Sequence, residues 1–484
     1  MDTYIGIDLG TSGVKLLLVD EKGTILKEVS KNYPCIHIKE NYSEQDPQLW
    51  YKKTIEALKE LLDGQDKSAL KAMSFGGQMH GLVMLDKDDD VLRSAILWND
   101  SRSSKETNYL NNVIGKDKLS LYTGNIAFAG FTAPKILWVY NNERDIFNKT
   151  TKIMLPKDYL IYKFTGVFAT DVSDASGFLL LDVKNRTYSK EMLDICHIKK
   201  EQLPKLYESF EVVGNLNKSI LKELGLNHEV KVIAGAGDNA AAAIGTGTIG
   251  NGNCNISLGT SGTIFLSSDH FAVDKMNSLH SFCDASNKYQ LMGCILAAAS
   301  ARSWWLEQIL NTKDYDSDEK SLEDSNVVFL PYLNGERSPH NDVDARGAFI
   351  NLSSITTRGQ MSKAILEGVA FAIKDCLKIA KENGIVPLKT TICGGGAKSE
   401  TWKHIIADVL EIPVYILKTN QGPSYGAAIL AMVGDKKYAS VEDAVKNIVK
   451  TERFIEPNLN NKEYYDKKYS MFRKLYPALK SIRD

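Results

Sequence analysis

Two identical pentapeptides have the composition of phosphate-binding turns. The sequence LGTSG occurs at residues 9–13 and again at residues 258–262. Glycines let the backbone come close to an anion, exposed N–H groups form an anion-binding concavity, and Thr and Ser hydroxyls add donors. A plain hairpin turn is the alternative for either copy alone, because each lies between two apolar segments typical of strands. The repetition favours phosphate binding by both turns, with contacts from Gly10, Thr11, Ser12, Gly259, Thr260 and Ser261.

Two charged residues flank the first of these turns. Asp8 ends the apolar segment before it, and Lys15 lies in the segment after it. A magnesium ion keeps several waters and binds few carboxylates, so one or two acidic residues are enough to hold it. We therefore expect Asp8 to lie near Mg²⁺ and Lys15 to reach the terminal phosphate of a nucleotide.

Asp238 is the candidate catalytic carboxylate. It follows the small residues 234–237, where an apolar strand gives way to an Ala-rich helix. A helix N-cap is the alternative, since Asp caps helices well. The small residues would leave open space around the carboxylate, which a substrate needs and a cap does not. We therefore predict that Asp238 contacts the substrate, accepts its proton and serves as a second carboxylate for magnesium.

A third glycine-rich segment has the composition expected beside a nucleotide base. Gly394, Gly395 and Gly396 follow an apolar strand and precede a helix that starts near Ser399. Without side chains at these positions, a flat ligand such as adenine with its ribose can lie against the backbone. We predict nucleotide contacts from all four residues.

Other nucleotide-binding motifs are missing or misplaced. The sequence contains no GxxxxGK[ST] loop and no DFG or HRD motif of the protein kinases. Residues 245–250 do match GxGxxG, but they follow a predicted helix instead of a strand. That setting argues against a dinucleotide site.

Strands and helices alternate along the chain. Residues 4–8, 14–19 and 24–29 form three predicted strands of an antiparallel meander with tight turns. Residues 50–62 have helical periodicity, and residues 70–75 are typical of a strand. This mixture predicts an α/β fold with layered sheets and helices.

The repeated turn also predicts the domain organisation. Both copies of LGTSG lie in matching strand–turn–strand settings about half a chain apart, which favours two related domains. A glycine-rich stretch at residues 245–252 marks the expected boundary. We assign residues 1–247 to an N-terminal domain and residues 248–484 to a C-terminal domain.

Two helices in the second half can be placed from their spacing. Residues 357–360 have the capping-box pattern that begins a helix, and we expect that helix to end near residues 383–384. Its predicted apolar face includes Ile365, Val369, Ala372 and Cys376. An aromatic stripe near the C-terminus has helical spacing and indicates core packing instead of a cofactor site; it comprises Tyr465, Tyr469, Phe472 and Tyr476.

Composition excludes several classes of function. The chain has 484 residues, enough for two to four domains. Its 59 Lys and Arg balance 60 Asp and Glu, so no general attraction to nucleic acid or anionic membranes is expected. The 7 cysteines have no CxxC spacing, which argues against a zinc ribbon or a disulfide framework. No signal peptide or membrane span is recognisable, and a cytoplasmic location is expected.

These motifs together resemble the FGGY family of carbohydrate kinases, within the actin-like ATPase superfamily. The resemblance covers nearly the whole chain and depends on the segments YIGIDLGTSGVK (4–15), YSEQDP (42–47), GGQMHG (76–81), ILWNDSR (96–102), GNIAFAGFTAPKILW (124–138), LPKDYL (155–160), GAGDNAA (235–241), SLGTSG (257–262), FLPYLNGERSPHN (329–341), LEGVAFA (366–372) and GGGAKSETW (394–402). It implies two ribonuclease-H-like α/β domains flanking a catalytic cleft. ATP is then expected mainly on the C-terminal domain and the sugar mainly on the N-terminal one.

The resemblance also implies a sugar site. Met79 and His80 are expected to contact the sugar, with four residues nearby: Gln78, Asn99, Asp100 and Arg102. Judged from the residues alone, Met79 would be a core residue, and His80 would be a core or surface residue as readily as a ligand. Residues 131–135 are typical of a loop entering a helix with Pro near its first turn, and we assign them a structural role near the sugar.

The expected reaction is phosphoryl transfer from ATP, with Mg²⁺, to a ketopentose. Within the family that the chain resembles, the segments 78–81 and 98–100 imply D-xylulose as the acceptor, phosphorylated to D-xylulose 5-phosphate. A free Asp, with a pKa of about 3.9, is too weak to ionise an alcohol beforehand, but in a loose transition state the proton moves late. The alternatives are a kinase of L-ribulose, L-xylulose, gluconate or glycerol on the same fold, or a non-enzymatic actin-like regulator that binds ATP or sugar. A homodimer is expected, as in much of the family.

Overall fold

The structure is a computed structural model that describes residues 1–419 and 421–483. The chain forms two compact units. The first comprises Met1–Ile249, Ser281–Tyr289 and Thr419–Lys450, and the second comprises Gly250–His280, Gln290–Lys418 and Thr451–Asp484. None of the helices in the described residues is long and apolar enough to cross a membrane.

The first half of the chain contains strands β1–β14 and helices α1–α10. The strands are β1 (Thr3–Leu9), β2 (Gly13–Asp20), β3 (Ile25–Asn32), β4 (Glu44–Gln45), β5 (Leu70–Gly77), β6 (Val83–Leu85), β7 (Ala95–Ile96), β8 (Lys152–Met154), β9 (Ala169–Asp171), β10 (Leu181–Asp182), β11 (Thr187–Tyr188), β12 (Lys205–Tyr207), β13 (Val212–Asn215) and β14 (Lys231–Gly237). The helices are α1 (Pro47–Leu62), α2 (Ser104–Asn108), α3 (Lys116–Thr123), α4 (Thr132–Asn142), α5 (Arg144–Lys149), α6 (Pro156–Thr165), α7 (Val172–Ala175), α8 (Lys190–Ile195), α9 (Lys218–Leu224) and α10 (Asp238–Gly245).

The second half continues with β15–β23 and α11–α17. The strands are β15 (Asn253–Leu258), β16 (Gly262–Ser268), β17 (His280–Cys283), β18 (Tyr289–Ile295), β19 (Val328–Leu330), β20 (Ala348–Ile350), β21 (Lys389–Cys393), β22 (Val414–Leu417) and β23 (Thr451–Ile455). The helices are α11 (Ala299–Ser303), α12 (Tyr315–Lys320), α13 (Arg358–Glu382), α14 (Glu400–Leu410), α15 (Pro423–Gly434), α16 (Val441–Ile448) and α17 (Lys462–Arg483). Short 3₁₀ or π-helical turns lie at Lys67–Ala69, Tyr109–Gly115, Ser176–Phe178, Lys200–Gln202, Trp304–Ile309, Gly395–Lys398 and Leu459–Asn461.

The first unit contains a six-stranded sheet in the order β13-β14-β5-β1-β2-β3. The predicted meander is confirmed, because β1 pairs antiparallel with β2 and β2 with β3. Strands β1, β5 and β14 run parallel. Their carboxyl ends therefore lie side by side at one edge of the sheet, where α/β proteins bind ligands.

Helices cover both faces of this sheet. Alternate residues of β1 point to opposite faces: Ile5 and Ile7 join one apolar core, with Trp50 of α1, while Tyr4 joins the other, with Ala428 of α15. Each face is buried, which explains why these strands are nearly continuous apolar runs.

The second sheet repeats the same plan. Its order is β17-β18-β16-β15-β21-β22-β23. Strand β15 pairs antiparallel with β16 and parallel with β21, β21 pairs parallel with β22, and β22 pairs antiparallel with β23. The same directions occur in the first sheet for β1 with β2 and β5, β5 with β14, and β14 with β13. The predicted fold class, α/β with two related domains, is confirmed.

The two units differ from the predicted ranges 1–247 and 248–484. The first long segment ends at Ile249, within the predicted boundary stretch 245–252, but residues 281–289 and 419–450 belong to the first unit. Helix α15 is apolar on most sides and packs on β1, β5 and β14. Gly6 permits this contact, because a Cβ there would lie 1.8 Å from the carbonyl oxygen of Ser424. The prediction used the repeated turn and the glycine-rich stretch and assumed two continuous domains. These features do not reveal that later segments of the chain belong to the first unit.

The two helices predicted in the second half are confirmed. Thr357 accepts a hydrogen bond from the backbone N–H of Gln360, whose side chain accepts one from the N–H of Thr357. Helix α13 follows and ends at Glu382, with the predicted apolar face buried. In α17, Tyr465 and Phe472 are buried in the second unit's core and the other two aromatic residues of the stripe pack against it.

Candidate functional site

Three predicted motifs meet at one edge of the first sheet. Asp8 of β1 lies opposite Gly76 of β5, and Ala236 and Gly237 of β14 lie opposite Gly76 and Gly77. The turn after β1, the segment after β5 and the start of α10 are therefore neighbours. This register brings the first glycine-rich turn, the 78–80 segment and Asp238 together.

The first glycine-rich turn is held by its carbonyl oxygens. The N–H of Gly10 donates to the carbonyl of Gly13 at 3.0 Å, and its own carbonyl accepts from the Tyr33 hydroxyl at 2.6 Å. The carbonyl of Thr11 accepts from the Gln45 amide at 2.6 Å. Carbonyl oxygens of this turn are thus occupied by donors from the protein. This arrangement favours a turn whose remaining N–H groups point towards an anion.

Side chains around this turn divide into engaged and exposed groups. The Thr11 hydroxyl accepts from the Trp98 indole at 2.9 Å and donates to the Gln78 amide oxygen at 3.1 Å. Ser12 is exposed. The Lys15 ammonium donates to the Gln421 side-chain oxygen at 2.6 Å. It also lies 3.1 Å from a carboxylate oxygen of Glu28.

Asp8 is an incompletely paired carboxylate. Its Oδ1 is buried and has no hydrogen-bond partner among the described residues. Its pKa is raised to about 7, first by burial and then by the negative charge of Asp238, against the opposing charge of Lys15. An unpaired buried carboxylate is unfavourable unless a cation compensates it. The pair of Asp8 and Asp238 therefore fits a magnesium ion, which needs only one or two carboxylates beside waters and phosphate oxygens.

Asp238 is the first residue of α10, and the N-cap position belongs to Gly237. The backbone N–H and the side-chain amide of Asn239 donate to Oδ1 of Asp238 at 2.7 and 3.0 Å. Burial raises the pKa of Asp238 to about 6, and the backbone hydrogen bond from Asn239 partly opposes this. The residue is partly exposed and its hydrogen bonds from described residues end on one oxygen, so the other can accept a proton.

Two of the small residues before Asp238 are required for close packing, and not for the open space that the sequence suggested. A Cβ at Gly235 would lie 1.9 Å from the carbonyl oxygen of Phe75, and one at Gly237 would lie 2.9–3.2 Å from side-chain atoms of Met79. These glycines allow close packing of β14 against β5 and the segment after it. The expectation that they leave open space was wrong at these two positions.

The segment after β5 contains two buried residues followed by a residue with a left-handed backbone. Gln78 is buried, and its amide group donates to the Gln45 amide oxygen at 3.1 Å. Met79 is buried against Gly237. His80 has a left-handed backbone, with φ of 69°. This conformation is uncommon outside glycine and asparagine, and it persists where surrounding structure enforces it.

Several contacts enforce the position of His80. Its Nδ1 lies 3.0 Å from the Gly177 carbonyl, and its ring stacks on Phe131 with centroids 4.7 Å apart. Its own carbonyl accepts from the Thr132 hydroxyl at 3.1 Å and from the Lys135 ammonium at 2.8 Å. Because a carbonyl only accepts, Nδ1 carries a hydrogen here, and Nε2 of a neutral ring is an acceptor for a hydroxyl.

Lys135 is a site residue whose contact the sequence did not reveal. Its side chain is fully buried, and its ammonium also donates to the Gly130 carbonyl at 2.7 Å. Burial lowers its pKa well below the usual value. The structural role that we expected for residues 131–135 thus has a definite form, since this segment holds the backbone and the ring of His80. A lysine in the first turn of an apolar helix was the available signal.

Asp100 and Arg102 are engaged by protein partners. The Asp100 carboxylate accepts from the Ser43 N–H at 2.6 Å and pairs with the Arg102 guanidinium at 2.7 Å. Arg102 also pairs with Glu44 at 2.6 Å and lies 3.8 Å from the ring centroid of Tyr42. All charged groups of this network are nearly inaccessible to solvent.

This network shapes the turn that precedes it. Trp98 and Asn99 are both exposed, and the Trp98 indole donates to the Thr11 hydroxyl in the first glycine-rich turn. The motif at residues 96–102, which was expected to bring three residues near the sugar, thus contains two kinds of residue. Asn99 is presented to solvent, while Asp100 and Arg102 fix the backbone that presents it. Trp98 belongs to the same motif, but its residue type alone gave no indication of its contact with the turn.

In the second unit, the second turn and the third glycine-rich segment are neighbours. Strands β15 and β21 are parallel, with Ser257 opposite Cys393, so the residues that follow them lie at the same edge. The carbonyls of Gly259 and Thr260 accept from backbone N–H groups at the start of α11, at 2.9 and 3.0 Å. As in the first unit, the turn's acceptors are used by the protein, and Thr260 and Ser261 are exposed.

The three glycines have distinct requirements. Gly394 has φ of 88°, and a Cβ there would lie 2.6 Å from the Leu258 carbonyl oxygen. A Cβ at Gly396 would lie 2.8 Å from side-chain atoms of Leu258 and Trp402. At Gly395 nothing lies within 4 Å of the Cβ position. Packing therefore explains the first and third glycines, and open space suitable for a ligand remains at the second.

Ser399 has a structural task in this structure. It is the N-cap of α14, and its hydroxyl accepts from the Trp402 N–H at 3.1 Å. A nucleotide contact from this side chain stays a prediction.

The comparisons with known proteins agree over the full length. The model of the N-terminal domain of the FGGY family of carbohydrate kinases matches residues 3–245, and that of the C-terminal domain matches residues 254–434. The xylulose kinase of Escherichia coli strain K12 is 38% identical over 98% of this chain and 99% of its own length.

Solved structures agree with these matches. The structure of a xyloylose kinase from Brucella ovis superposes with a TM-score of 0.95 at 38% identity, covering 99% of this chain and 100% of that one. A gluconate kinase from Lactobacillus acidophilus superposes with a TM-score of 0.94 at 28% identity, covering 99% of this chain and 98% of that one.

The glycine geometry gives a prediction about stability. Gly394→Ala should lower the thermal unfolding temperature, because it strains a left-handed backbone and overlaps a carbonyl; overpacking of this kind costs about 1–3 kcal/mol. Gly395→Ala is the matched control and should leave the unfolding temperature unchanged. Calorimetric melting of both variants checks this, and equal melting temperatures would contradict the packing argument.

Proposed function

The chain belongs to the FGGY family of carbohydrate kinases, and we propose that it transfers the terminal phosphoryl group of ATP to D-xylulose, forming D-xylulose 5-phosphate and ADP. Support for the sugar comes from the full-length similarity to xylulose kinases. Support for the chemistry comes from one observation above all: Asp238 starts a helix at the common edge of three parallel strands, directly after Gly237, which packs on Met79.

Asp238 is the proposed general base. It accepts the proton of the terminal sugar hydroxyl as that oxygen attacks the phosphorus in line and ADP departs. The transition state is loose, so positioning and charge neutralisation account for most of the rate. A carboxylate with a raised pKa is a better proton acceptor than a free Asp, and its pKa of about 6 still leaves it mostly ionised at neutral pH.

Asp8 and Asp238 are the residues that would hold Mg²⁺. When bound there, the ion would neutralise charge on the phosphate oxygens. The chain's own cation, Lys15, lies across from Asp8 in the β1–β2 pairing and would approach the terminal phosphate from the same face. The N–H groups of Thr11 and Ser12 and the hydroxyls of the same two residues complete the proposed phosphate contacts of the first unit.

The second unit is proposed to hold the rest of the nucleotide. The turn at Gly259, Thr260 and Ser261 offers phosphate contacts, and Gly394, Gly395 and Gly396 offer a flat backbone surface with open space at the middle position. Ser399 would contribute to the nucleotide site indirectly, by capping the first turn of α14. Family members that phosphorylate sugars use ATP as donor, which is consistent with these two segments.

The sugar contacts are proposed to come from Met79, His80, Asn99 and Asp238. Nε2 of a neutral His80 ring would accept a sugar hydroxyl, and the amide of Asn99 could donate and accept. Gln78, Asp100 and Arg102 would support these contacts through the hydrogen bonds and ion pairs that already occupy them. We also propose a homodimer in solution, the commonest symmetric assembly, which light scattering on the purified protein would test.

A substrate panel tests the proposal directly. ADP release would be measured with D-xylulose, L-xylulose, L-ribulose, gluconate and glycerol as acceptors. The highest kcat/KM is expected with D-xylulose. Gluconate is the main competitor, since the Lactobacillus gluconate kinase has nearly the same fold. A preference for another acceptor would contradict D-xylulose as the substrate but not the kinase activity. ATP turnover that no sugar stimulates would contradict both the substrate and the kinase activity.

Replacing the proposed base should remove turnover. We expect Asp238→Asn to lower kcat by about 10²–10⁴-fold, the usual contribution of general-base catalysis. Binding of ADP in a calorimetric titration should stay near wild type. Asp145→Asn changes an exposed aspartate in the first turn of another helix and is the control. Wild-type turnover in Asp238→Asn would remove this residue from the base role.

The proposed metal contact has its own test. Asp8→Asn should shift the magnesium dependence of the rate to higher concentration, because a neutral amide binds the ion less well than a carboxylate. Asp2→Asn, the same change just before the opposite end of β1, is the matched control and should titrate like wild type. Superimposable magnesium titrations for Asp8→Asn and wild type would argue against the assignment.

The proposed sugar contact can be separated from the nucleotide site. His80→Ala should raise the KM for sugar at least tenfold and change the KM for ATP much less. His197→Ala is a close control, because His197 also has a left-handed backbone, with φ of 57°, and stacks on a tyrosine with centroids 4.1 Å apart. Equal changes in both KM values for His80→Ala would place this side chain outside the sugar site.

A further inference from the structure

The strand that leads to Asp238 is irregular just before its end. Its pairing with β5 shifts register between Ile233 and Ala236, and Gly235 within the shift has φ of 72°. Such a bulge bends a strand and re-aims the residues that follow it, and bulges are frequent beside active sites. The direction of the Asp238 carboxylate therefore depends on what holds residues 234–237.

A cluster of buried charges lies against this bulge. The Lys157 ammonium is 2.9 Å from a carboxylate oxygen of Asp158, 3.1 Å from Asp171 and 3.8 Å from Asp174. All four side chains are completely inaccessible to solvent. Burial alone would lower the pKa of Lys157, but the surrounding carboxylates raise it, so the ammonium stays charged.

The cluster is connected by hydrogen bonds to three residues of the bulge, Ala234, Gly235 and Gly237. Lys157 donates to the carbonyl of Ala234 at 3.2 Å. The N–H of Gly235 donates to the carbonyl of Ser209 at 2.9 Å, and the Ser209 hydroxyl donates to Asp171 at 2.7 Å.

The third connection is nearest to the proposed base. The N–H of Gly237 donates to the Ser173 hydroxyl at 3.1 Å, and that hydroxyl donates to Asp171 at 2.5 Å. The peptide group between Ala236 and Gly237, one residue before Asp238, is thus two hydrogen bonds from a carboxylate that pairs with Lys157.

The same lysine also supports the segment with the proposed sugar contacts. A Cβ at Gly77 would lie 2.8 Å from Cβ of Lys157, so the end of β5 packs directly on this residue. Gly77 precedes Met79 by two residues. One side chain therefore contacts both strand ends that carry the proposed base and the proposed sugar contacts.

Stability alone is a poor explanation for this arrangement. Replacing buried ion pairs by well-packed apolar residues is often neutral or stabilising, so such pairs are weak evidence for a stabilising role. The cluster instead fixes the orientation of the backbone, because each of its chains of hydrogen bonds ends on an N–H or carbonyl group of the bulge.

We infer that Lys157 and Asp171 are positioning residues for the Asp238 carboxylate, acting through Ser173, Ser209 and the bulge of β14. The inference rests on the proposed function of Asp238 as base. Loss of one link should misalign the carboxylate while leaving substrate and nucleotide affinity in place, because the cluster itself is sealed from solvent.

Ser173→Ala is the most selective test, because it removes one hydroxyl and the acceptor for the Gly237 N–H. We expect kcat to fall by about 10–100-fold, as small misplacements of catalytic groups do. The KM values for sugar and ATP and the melting temperature should stay within twofold and a few degrees of wild type. Ser267→Ala removes a buried hydroxyl without a partner among the described residues, and this control should keep full activity.

A double-mutant cycle separates positioning from a general structural role. In the Asp238→Asn background, adding Ser173→Ala should change the residual rate less than twofold, because no base remains to be aimed. Equal losses of rate in both backgrounds, or an unchanged kcat for Ser173→Ala alone, would overturn the inference. Ser209→Ala breaks a second link and is expected to behave in the same way, so a poorly folded Ser173→Ala leaves the test intact. Absence of sugar kinase activity in the wild type would contradict the proposed function instead.

Discussion

The register of three parallel strands places two carboxylates where neither is well solvated. Asp8 ends β1, Asp238 follows β14, and β5 between them keeps both at one edge of the sheet. The pKa of each carboxylate is higher than in water because of burial, and the negative charge of Asp238 raises the pKa of Asp8 further. Like charges in a poorly hydrated position are unfavourable in the free protein. A site that must bind a cation and accept a proton needs this kind of arrangement, and the surrounding structure has to enforce it.

Buried ion networks provide that enforcement on two sides. Lys157 and its carboxylates hold the bulge of β14, and the pair of Asp100 and Arg102 with Glu44 holds the turn that presents Asn99. In both networks the charged groups pair with one another and also hold backbone groups, such as the Ser43 N–H at Asp100 and the Ala234 carbonyl at Lys157. The residues left to contact ligands are then partly exposed polar groups on backbone that cannot move freely. Rigid support of this kind is what phosphoryl transfer requires, because alignment supplies much of its rate.

The sequence indicated the local elements well and the long-range packing poorly. Two identical turns in matching strand contexts predicted two related domains, and the repeated strand directions around β1 and β15 confirm this. The motif of residues 98–102 could not reveal that Arg102 is enclosed by Glu44 and Asp100, because a charged residue in a motif looks the same whether it contacts a ligand or a neighbour. The return of α15 to the first unit was equally hidden, since its apolar sequence does not reveal that it packs on β1, β5 and β14.

The choice of sugar has to be made by few groups. A gluconate kinase superposes on this chain with a TM-score of 0.94 at 28% identity, so the fold is compatible with acceptors of different shape and charge. In the proposed mechanism, the strand edge with Asp8 and Asp238 would serve any primary hydroxyl that reaches it. We therefore propose that discrimination depends on side chains that project from the supported backbone, above all His80 and Asn99. His80 is held by its carbonyl, its ring face and its Nδ1, which leaves its Nε2 edge with a fixed direction. In this proposal, a sugar hydroxyl that meets this edge would be well paired, whereas an acceptor that presents another group there would leave a polar atom badly paired. Binding sites gain much of their selectivity from such mismatches.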